Sequence, residues 1–245
     1  MSKQGGMGAN FYVGSADISG DVSSLTNMHG GPLLQDVTAI DKSAPERIGL
    51  LRDGGLDGSI WFDKATGASH PTLKTLPTTD VICSYFHTAV IGAPACSCVA
   101  KQVNFDGNRG KDGSYALAVS WVANGFGLEW GNSVTAGKRT DTTATTPGSG
   151  SDLGAASYSF GMALYLHLFE FTGTSVTIKV QDSANNSVFA DMTGATFTVA
   201  SGVTSERIAL STTATVRRYL RAVTTGTFSN AVFAINAVRY EVAQT

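Results

Sequence analysis

Two adjoining segments decide the fold of this chain, His29-Gly-Gly-Pro-Leu-Leu-Gln-Asp-Val-Thr-Ala-Ile-Asp-Lys-Ser-Ala-Pro-Glu46 and Arg47-Ile-Gly-Leu-Leu-Arg-Asp-Gly-Gly-Leu-Asp-Gly-Ser-Ile-Trp-Phe-Asp63. The second places Gly54-Gly55 between two apolar runs, which predicts a β-hairpin over residues 47–63. The first follows neither a helix nor a strand period, and it is long for a loop, since connections in compact domains are typically about 4 to 6 residues. We therefore expect residues 29–46 to form an arm that contacts something outside its own domain.

The composition favours a β-rich protein with many turns. Only 15% of the residues are charged, whereas globular chains carry about 25%. The 28 glycines fall between short apolar runs. With 245 residues, the chain is long enough for one large β domain or two of ordinary size.

Several classes of protein are disfavoured by charge and pattern. The formal net charge of −2 lacks the basic footprint of a nucleic-acid binder. No run approaches the ~18 apolar residues of a membrane span, and the first residues lack the apolar core of a signal peptide. The odd set of Cys83, Cys96 and Cys98 argues for buried free thiols over disulfides. We expect no membrane partner and synthesis in a cytoplasm.

The segment 138–152 divides the chain in two. It contains no large apolar residue, so its composition predicts a flexible linker. It separates an N-terminal block, residues 1–137, from a C-terminal block, residues 153–245. Short strands at regular spacing predict a β-sandwich, Ig-like or jelly-roll-like, for the C-terminal block.

In the N-terminal block the clearest strand pattern is the alternation of Tyr115, Leu117, Val119 and Trp121. The block has one plausible short helix, over residues 69–77, which would start at Ser69 and be closed by Pro77 with Leu73 and Leu76 on one face.

No convergent set of catalytic groups emerges. His167 lies in an apolar run and is interpreted as a packed residue, and His87 as a plain strand neighbour of the cysteines. Residues 106–113 fail the EF-hand pattern and predict a hairpin turn. Arg217 and Arg221 share a strand face, either a solvated surface or a small anion-contacting patch. We predict no enzyme activity, no cofactor and no metal site.

The motifs of the N-terminal block resemble those of major tail (tail tube) proteins of long-tailed, siphovirus-type actinobacterial phages. They are Asp17-Ile-Ser-Gly, Arg47-Ile-Gly-Leu-Leu-Arg-Asp-Gly, Gly58-Ser-Ile-Trp-Phe-Asp63, Ala100-Lys-Gln-Val-Asn-Phe-Asp106, Asn124-Gly-Phe-Gly-Leu-Glu-Trp-Gly131 and Thr135-Ala-Gly-Lys-Arg-Thr-Asp-Thr-Thr143. In the C-terminal block, residues 176–184 and 216–221 resemble the sandwich often appended in such phages.

The resemblance implies a tail-tube-type β-barrel or sandwich in the N-terminal block and a decoration domain in the C-terminal block. Subunits would form hexameric rings that stack into a tube, the conduit for DNA delivery, assembled in the host cytoplasm and carried in the virion. The implied partners are other copies, the tape measure, tail terminator and baseplate proteins, DNA that passes without specific binding, and host surface glycans for the C-terminal block.

The same resemblance assigns roles within residues 29–63. Segment 29–46 would be the stacking loop between rings, and residues 47–63 the wall hairpin between subunits. Asp57 shares a strand face with Ser59, Trp61 and Asp63 and is the lumen-facing candidate, although Trp61 argues against a uniformly wet surface. The stacking residues would be Pro32, Leu33, Leu34, Val37, Ile40 and Pro45, and the wall residues Ile48, Leu50, Leu51, Leu56, Ile60 and Phe62.

Two alternatives stay open at this point. One is a capsid decoration or other virion protein built on similar β domains. The other is a two-module carbohydrate-binding protein.

Overall fold

The computed structural model of the chain describes residues 5–75, 79–154 and 156–243. Strands dominate throughout, and the one helix within the described residues is five residues long. The predicted all-β fold is confirmed. Within the same ranges, no helix has the length and apolarity needed to cross a membrane.

The N-terminal block consists of short strands and one long strand pair. Its elements, in chain order, are β1 (Asn10–Val13), β2 (Ala16–Asp17), β3 (Val22–Asp36), β4 (Arg47–Trp61), α1 (Ser69–Leu73), β5 (Val81–Phe86), β6 (Pro94–Gln102), β7 (Asp106–Arg109), β8 (Tyr115–Ala123) and β9 (Glu129–Ser133).

The rest of the chain is built around two strands of more than 20 residues that pair along their length. Its elements are β10 (Arg139–Asp141), β11 (Ser151–Asp152), β12 (Met162–Ser183), β13 (Phe189–Thr196), β14 (Thr204–Ala209) and β15 (Tyr219–Arg239).

The described strands join in one antiparallel network whose main path runs β13-β12-β15-β9-β6-β5-β1-β2. Each block nevertheless has its own core. In the N-terminal block, Trp121, Leu56 and Ile60 pack with the thiols and with β1. In the C-terminal block the core is built from apolar side chains of the paired strands β12 and β15, together with Phe197, Leu210 and Val216. Smaller clusters, such as the contact of Ile82 with Tyr165, join the two blocks.

The prediction of a flexible linker over residues 138–152 is wrong, because parts of this segment are paired with β15. Residues 139–141 pair with β15 at Ala231–Phe233, and residues 151–152 pair with β15 at Tyr219–Leu220. Between them, Thr145 N donates to Thr224 O at 3.0 Å. A run of small polar residues can add to a strand edge through backbone hydrogen bonds alone, without an apolar side chain of its own.

Two local predictions, the buried face of β8 and the helix over residues 69–77, are each confirmed in part. In β8, Leu117, Val119 and Trp121 are buried as the alternation predicts, although Tyr115 is exposed. The helix is present at Ser69–Leu73, but Leu76 and Pro77, which were expected to complete it, lie outside the described residues.

Candidate assembly surface

Strands β3 and β4 form one long antiparallel hairpin. Their register runs from Val22 opposite Ile60 to Asp36 opposite Arg47, and Val37 N donates to Glu46 O at 2.9 Å. The predicted loop over residues 29–46 is therefore half strand: residues 29–36 belong to β3, and only residues 37–46 form the turn.

The predicted hairpin over residues 47–63 is wrong, because β4 passes through Gly54-Gly55 without turning. The glycines serve close packing. A Cβ on Gly54 would lie 2.6 Å from the backbone N of Leu128, and one on Gly55 would lie 2.8 Å from Trp121 O. Such distances leave no room for a side chain. Gly54 marks where the segment at Leu128 crosses the hairpin, and Gly55 marks a close approach of the neighbouring strand β8.

The proximal half of the hairpin belongs to the subunit core. Residues 55–61 of β4 pair with β8, and Leu56 and Ile60 are fully buried. These two side chains were assigned to the inter-subunit wall, but their own core already covers them, so this part of the assignment is corrected. Phe62 is partly exposed and lies 4.6 Å from His70, ring centroid to centroid.

Among the strands that the structure describes, the distal half of the hairpin pairs only with itself. Beyond Gly55, β4 pairs only with β3, and nearly every residue from 30 to 53 is exposed. Apolar side chains are exposed here too, with Leu51 80% and Leu34 63% accessible. Contiguous exposed apolar surface marks interaction sites. The other exposed apolar residues are Leu33, Val37, Ile40, Ile48 and Leu50, and Pro32 and Pro45 are also exposed.

The turn at the tip is ordered by local hydrogen bonds. Asp36 Oδ1 accepts from the backbone N and from the hydroxyl of Thr38, at 2.9 and 2.6 Å. These bonds lower the pKa of the Asp36 carboxyl. Glu46 N donates to Thr38 Oγ1 at 2.9 Å. The distal hairpin thus ends in a defined shape.

Asp57 lies on a mixed sheet face, where small polar side chains stand beside the exposed apolar side chains of Trp61 and Val122. In the register, it is opposite Asn27 of β3 and Ser120 of β8, and Ser59 is opposite Ala118. Directly opposed residues of an antiparallel sheet project to the same face. Asp57 and Ser59 are half-buried, and Asn27 and Ala118 are exposed.

His167 is packed, as predicted. It is fully buried, its Nδ1 lies 2.6 Å from Gly14 O and its Nε2 lies 2.7 Å from Ser84 Oγ. Since a carbonyl only accepts, Nδ1 carries the proton and Nε2 accepts from the serine. Burial lowers the pKa of His167 from 6.5 to about 4. The imidazole therefore joins the two blocks as a neutral structural group.

The other candidate chemical groups are engaged in structure. Within residues 106–113, residues 106–109 form β7, which pairs with β8, and the hairpin turn follows at residues 110–114. Arg217 pairs with Asp182 at 3.3 Å. Arg221 donates to Gln181 Oε1 at 2.8 Å. Among the described residues, no three His, Cys, Asp or Glu side chains are grouped to hold a metal. The assembly surface is therefore the candidate site.

Sequence reasoning missed the residues that seat the hairpin. Leu128 touches both Gly30 and Gly54, and Phe126 and Glu129 beside it contact Arg207 of the C-terminal block. A sequence signal for this close packing is present in Asn124-Gly-Phe-Gly-Leu-Glu-Trp-Gly131, where glycines flank bulky residues. The pattern does not indicate that the hairpin and Arg207 are the groups contacted.

Comparison with known proteins gives limited guidance. No family model and no curated protein match the chain. The Dit (gp 19.1) protein of phage SPP1, described as a paradigm of the hub adsorption apparatus in phages infecting Gram-positive bacteria, is similar at 10% identity and a TM-score of 0.33, over 94% of this chain and 98% of that one.

Chains of the phage p2 baseplate in its activated conformation with Sr and with Ca are similar at 8% and 9% identity, with TM-scores of 0.31 and 0.32. They cover 96% and 97% of this chain, and 99% and 100% of their own. TM-scores of this size do not establish a shared fold.

Proposed function

We propose that this chain is a structural protein of a phage tail, and that its subunits form hexameric rings that stack into the tail tube. The observation that carries the proposal is the distal β3–β4 hairpin, which leaves the subunit core and exposes apolar side chains. The motif resemblance of the N-terminal block supports the assignment to a tail, with no enzymatic role.

The hairpin has the reach that contact between rings requires. Residues 31–36 rise by about 3.3 Å each, so the distal strands extend about 20 Å beyond the opposed Gly30 and Gly54 at the base. The turn adds further length. A neighbouring subunit would cover leucines such as Leu34 and Leu51, which the subunit itself leaves in water. Burial of that apolar surface stabilises the contact.

The sheet face around Asp57 is suited to the lumen. A channel that passes DNA without holding it should be neutral to acidic, because basic groups bind phosphates. Asp57, Ser59 and Ser120 supply small polar or acidic groups to this face, and a cation close to them in the register, Lys101 opposite Val122, is paired with Asp80. Ring closure through strand edges would also remove unpaired backbone groups.

A position in the tail tube also implies contacts with other tail proteins. The tube would end on a tail terminator and a baseplate and would enclose a tape measure protein, with assembly in the host cytoplasm. The C-terminal block would lie outside the tube, where it could contact host surface glycans.

Negative-stain microscopy of the purified protein tests the proposal. We expect tubes or six-fold rings, and monomers or trimers would contradict it. In a second variant, Asn-Gly replaces residues 31–53, since Gly30 and Gly54 are directly opposed and a two-residue turn can join them. This variant should fold and form no stacks. Normal tubes from it would refute the role of the hairpin.

A further inference from the structure

The C-terminal block holds the segment on which the hairpin rests. Gly30 and Gly54 are directly opposed at the base of the distal hairpin. A Cβ on Gly30 would lie 2.9 Å from Leu128 Cβ, and one on Gly127 would lie 3.1 Å from Asp53 O. Residues 127–128 therefore cross the hairpin at the point where it leaves the core.

Arg207 of β14 holds both flanks of this crossing segment. Its guanidinium carbon lies 3.6 Å from the ring centroid of Phe126, and its Nη2 lies 3.0 Å from Glu129 Oε2. The side chains of Arg207 and Glu129 are 9% and 5% exposed. A planar, weakly hydrated guanidinium can stack on a ring and pair with a carboxylate at the same time.

The surrounding groups fix Arg207 in place. Its Nε donates to Tyr165 Oη at 2.9 Å, and Tyr240 Oη donates to Glu129 Oε1 at 2.7 Å. Tyr165 also donates to Glu129. Phe126 lies between Gly125 and Gly127, whose φ of 93° and 73° suit glycine. Because glycine restricts the backbone least, the segment depends on this clamp for a fixed position. A cleft of about 290 Å³ beside the hairpin base leaves room for movement.

We propose that Arg207 is a positioning residue through which the C-terminal block sets the direction of the assembly hairpin. The C-terminal block then contributes to assembly by orienting the hairpin, in addition to forming an outer domain. The value of a fixed direction for stacking rests on the proposed function, whereas the positioning itself is a property of the single subunit.

The test measures the distance between hairpin and C-terminal block directly. Nitroxide labels on Ile40→Cys and Val188→Cys, both exposed, report that distance by pulsed electron paramagnetic resonance, and the three native thiols are buried. Labelled protein is diluted into excess unlabelled protein so that only distances within a subunit are seen. We expect one narrow distance in the parent, and its loss to a broad distribution in Arg207→Lys and in Phe126→Ala.

The control is Arg218→Lys, because Arg218 also combines an ion pair, 2.7 Å from Asp152, with a ring, 5.0 Å from Tyr219, but lies away from the hairpin. It should keep the narrow distance. Phe126→Ala retains the Glu129–Arg207 pair and removes a half-exposed ring, so it is the variant that must fold. A narrow, unshifted distance in folded Phe126→Ala overturns the inference even if the protein forms tubes. If the parent protein itself forms no tubes while Phe126→Ala broadens the distance, the proposed function is removed and the positioning role of Arg207 stands.

Discussion

Ser84 Oγ donates a hydrogen bond to His167 Nε2 at 2.7 Å, and this contact is the centre of a buried polar chain between the two blocks. Ser97 Oγ lies 2.6 Å from Ser84 Oγ, and Asn236 Nδ2 donates to Ser97 at 2.9 Å. With His167 donating to Gly14 O, every donor in the chain points the same way. This direction of the hydrogen bonds requires a neutral imidazole, because a protonated Nε2 could not accept from Ser84.

The stability of the fold should therefore fall with acidification. Because the folded pKa of His167 is lowered from 6.5 to about 4, the unfolded chain binds more protons between those values. The contribution of neutral His167 to the free energy of unfolding is complete above pH 6.5. It is lost as the pH falls toward 4, by about 3 kcal/mol in total. Urea unfolding of the parent and of His167→Gln across this range should give a free-energy difference that shrinks as the pH falls. A constant difference would show that His167 is not the titrating group.

The glycine at the hairpin base should not tolerate a methyl group. Gly54→Ala places Cβ 2.6 Å from Leu128 N, and overpacking of this kind costs about 1–3 kcal/mol. Gly49→Ala in the same strand is the control, since its Cβ would lie an ordinary 3.6 Å from Pro32 Cβ, and it should change stability by less than about 0.5 kcal/mol. Equal unfolding midpoints for the two variants would contradict the tight crossing at Leu128.

Exposed leucines of the hairpin should matter for assembly and not for folding. The double variant Leu34→Ser, Leu51→Ser removes side chains that are 63% and 80% exposed, so the free energy of unfolding should change by less than about 0.5 kcal/mol. Tubes should be absent in electron micrographs. Val188→Ser, 68% exposed on the C-terminal block, should assemble normally; unaltered tubes from the double variant would exclude these leucines from the contact.

The buried pair of Glu129 and Arg207 should be far more important for stability than a similar pair at the surface. Glu129→Gln leaves the Arg207 guanidinium buried without its counter-charge, at a cost of about 3 kcal/mol. Asp152→Asn breaks the exposed pair with Arg218 and should cause no measurable change. Thermal unfolding of both variants compares them, and a Glu129→Gln variant as stable as Asp152→Asn would contradict the burial of the pair.

The three cysteines should be unreactive in the folded protein. All are free and buried, and burial raises the pKa of Cys83 and raises that of Cys96 to about 12. Since the thiolate is the reactive form, iodoacetamide should modify none of them at neutral pH, and all three after denaturation. Mass spectrometry counts the adducts, and rapid modification of the folded chain would show that the core around β5 and β6 opens.

Sequence patterns predicted correctly those features of the fold that depend on residues close together in the sequence. The two-residue period of β8 predicted that Leu117, Val119 and Trp121 would be buried, because alternate side chains of a strand face the same side. The apolar setting of His167 likewise predicted its packing. In both cases the surrounding sequence carries the information.

Predictions failed where a residue serves a distant partner. Gly54-Gly55 has the composition of a turn, yet the glycines are there because Leu128 and Trp121 approach the backbone. Glu129 and Arg207 are 78 residues apart, and no periodicity connects them. The small polar residues of 138–152 looked solvated because the edge of β15 that they pair with cannot be seen in their own sequence.

Pro32 lies in the exposed part of β3, opposite Arg52, and the ladder is irregular between Pro32 and Leu34. Proline cannot donate a backbone hydrogen bond, and irregular, charged edges resist the addition of foreign strands. The hairpin therefore exposes leucines while interrupting the regular backbone ladder on which amyloid-like growth depends. Newly made subunits could accumulate in a crowded cell without forming fibres, and remain available until a correct neighbour arrives.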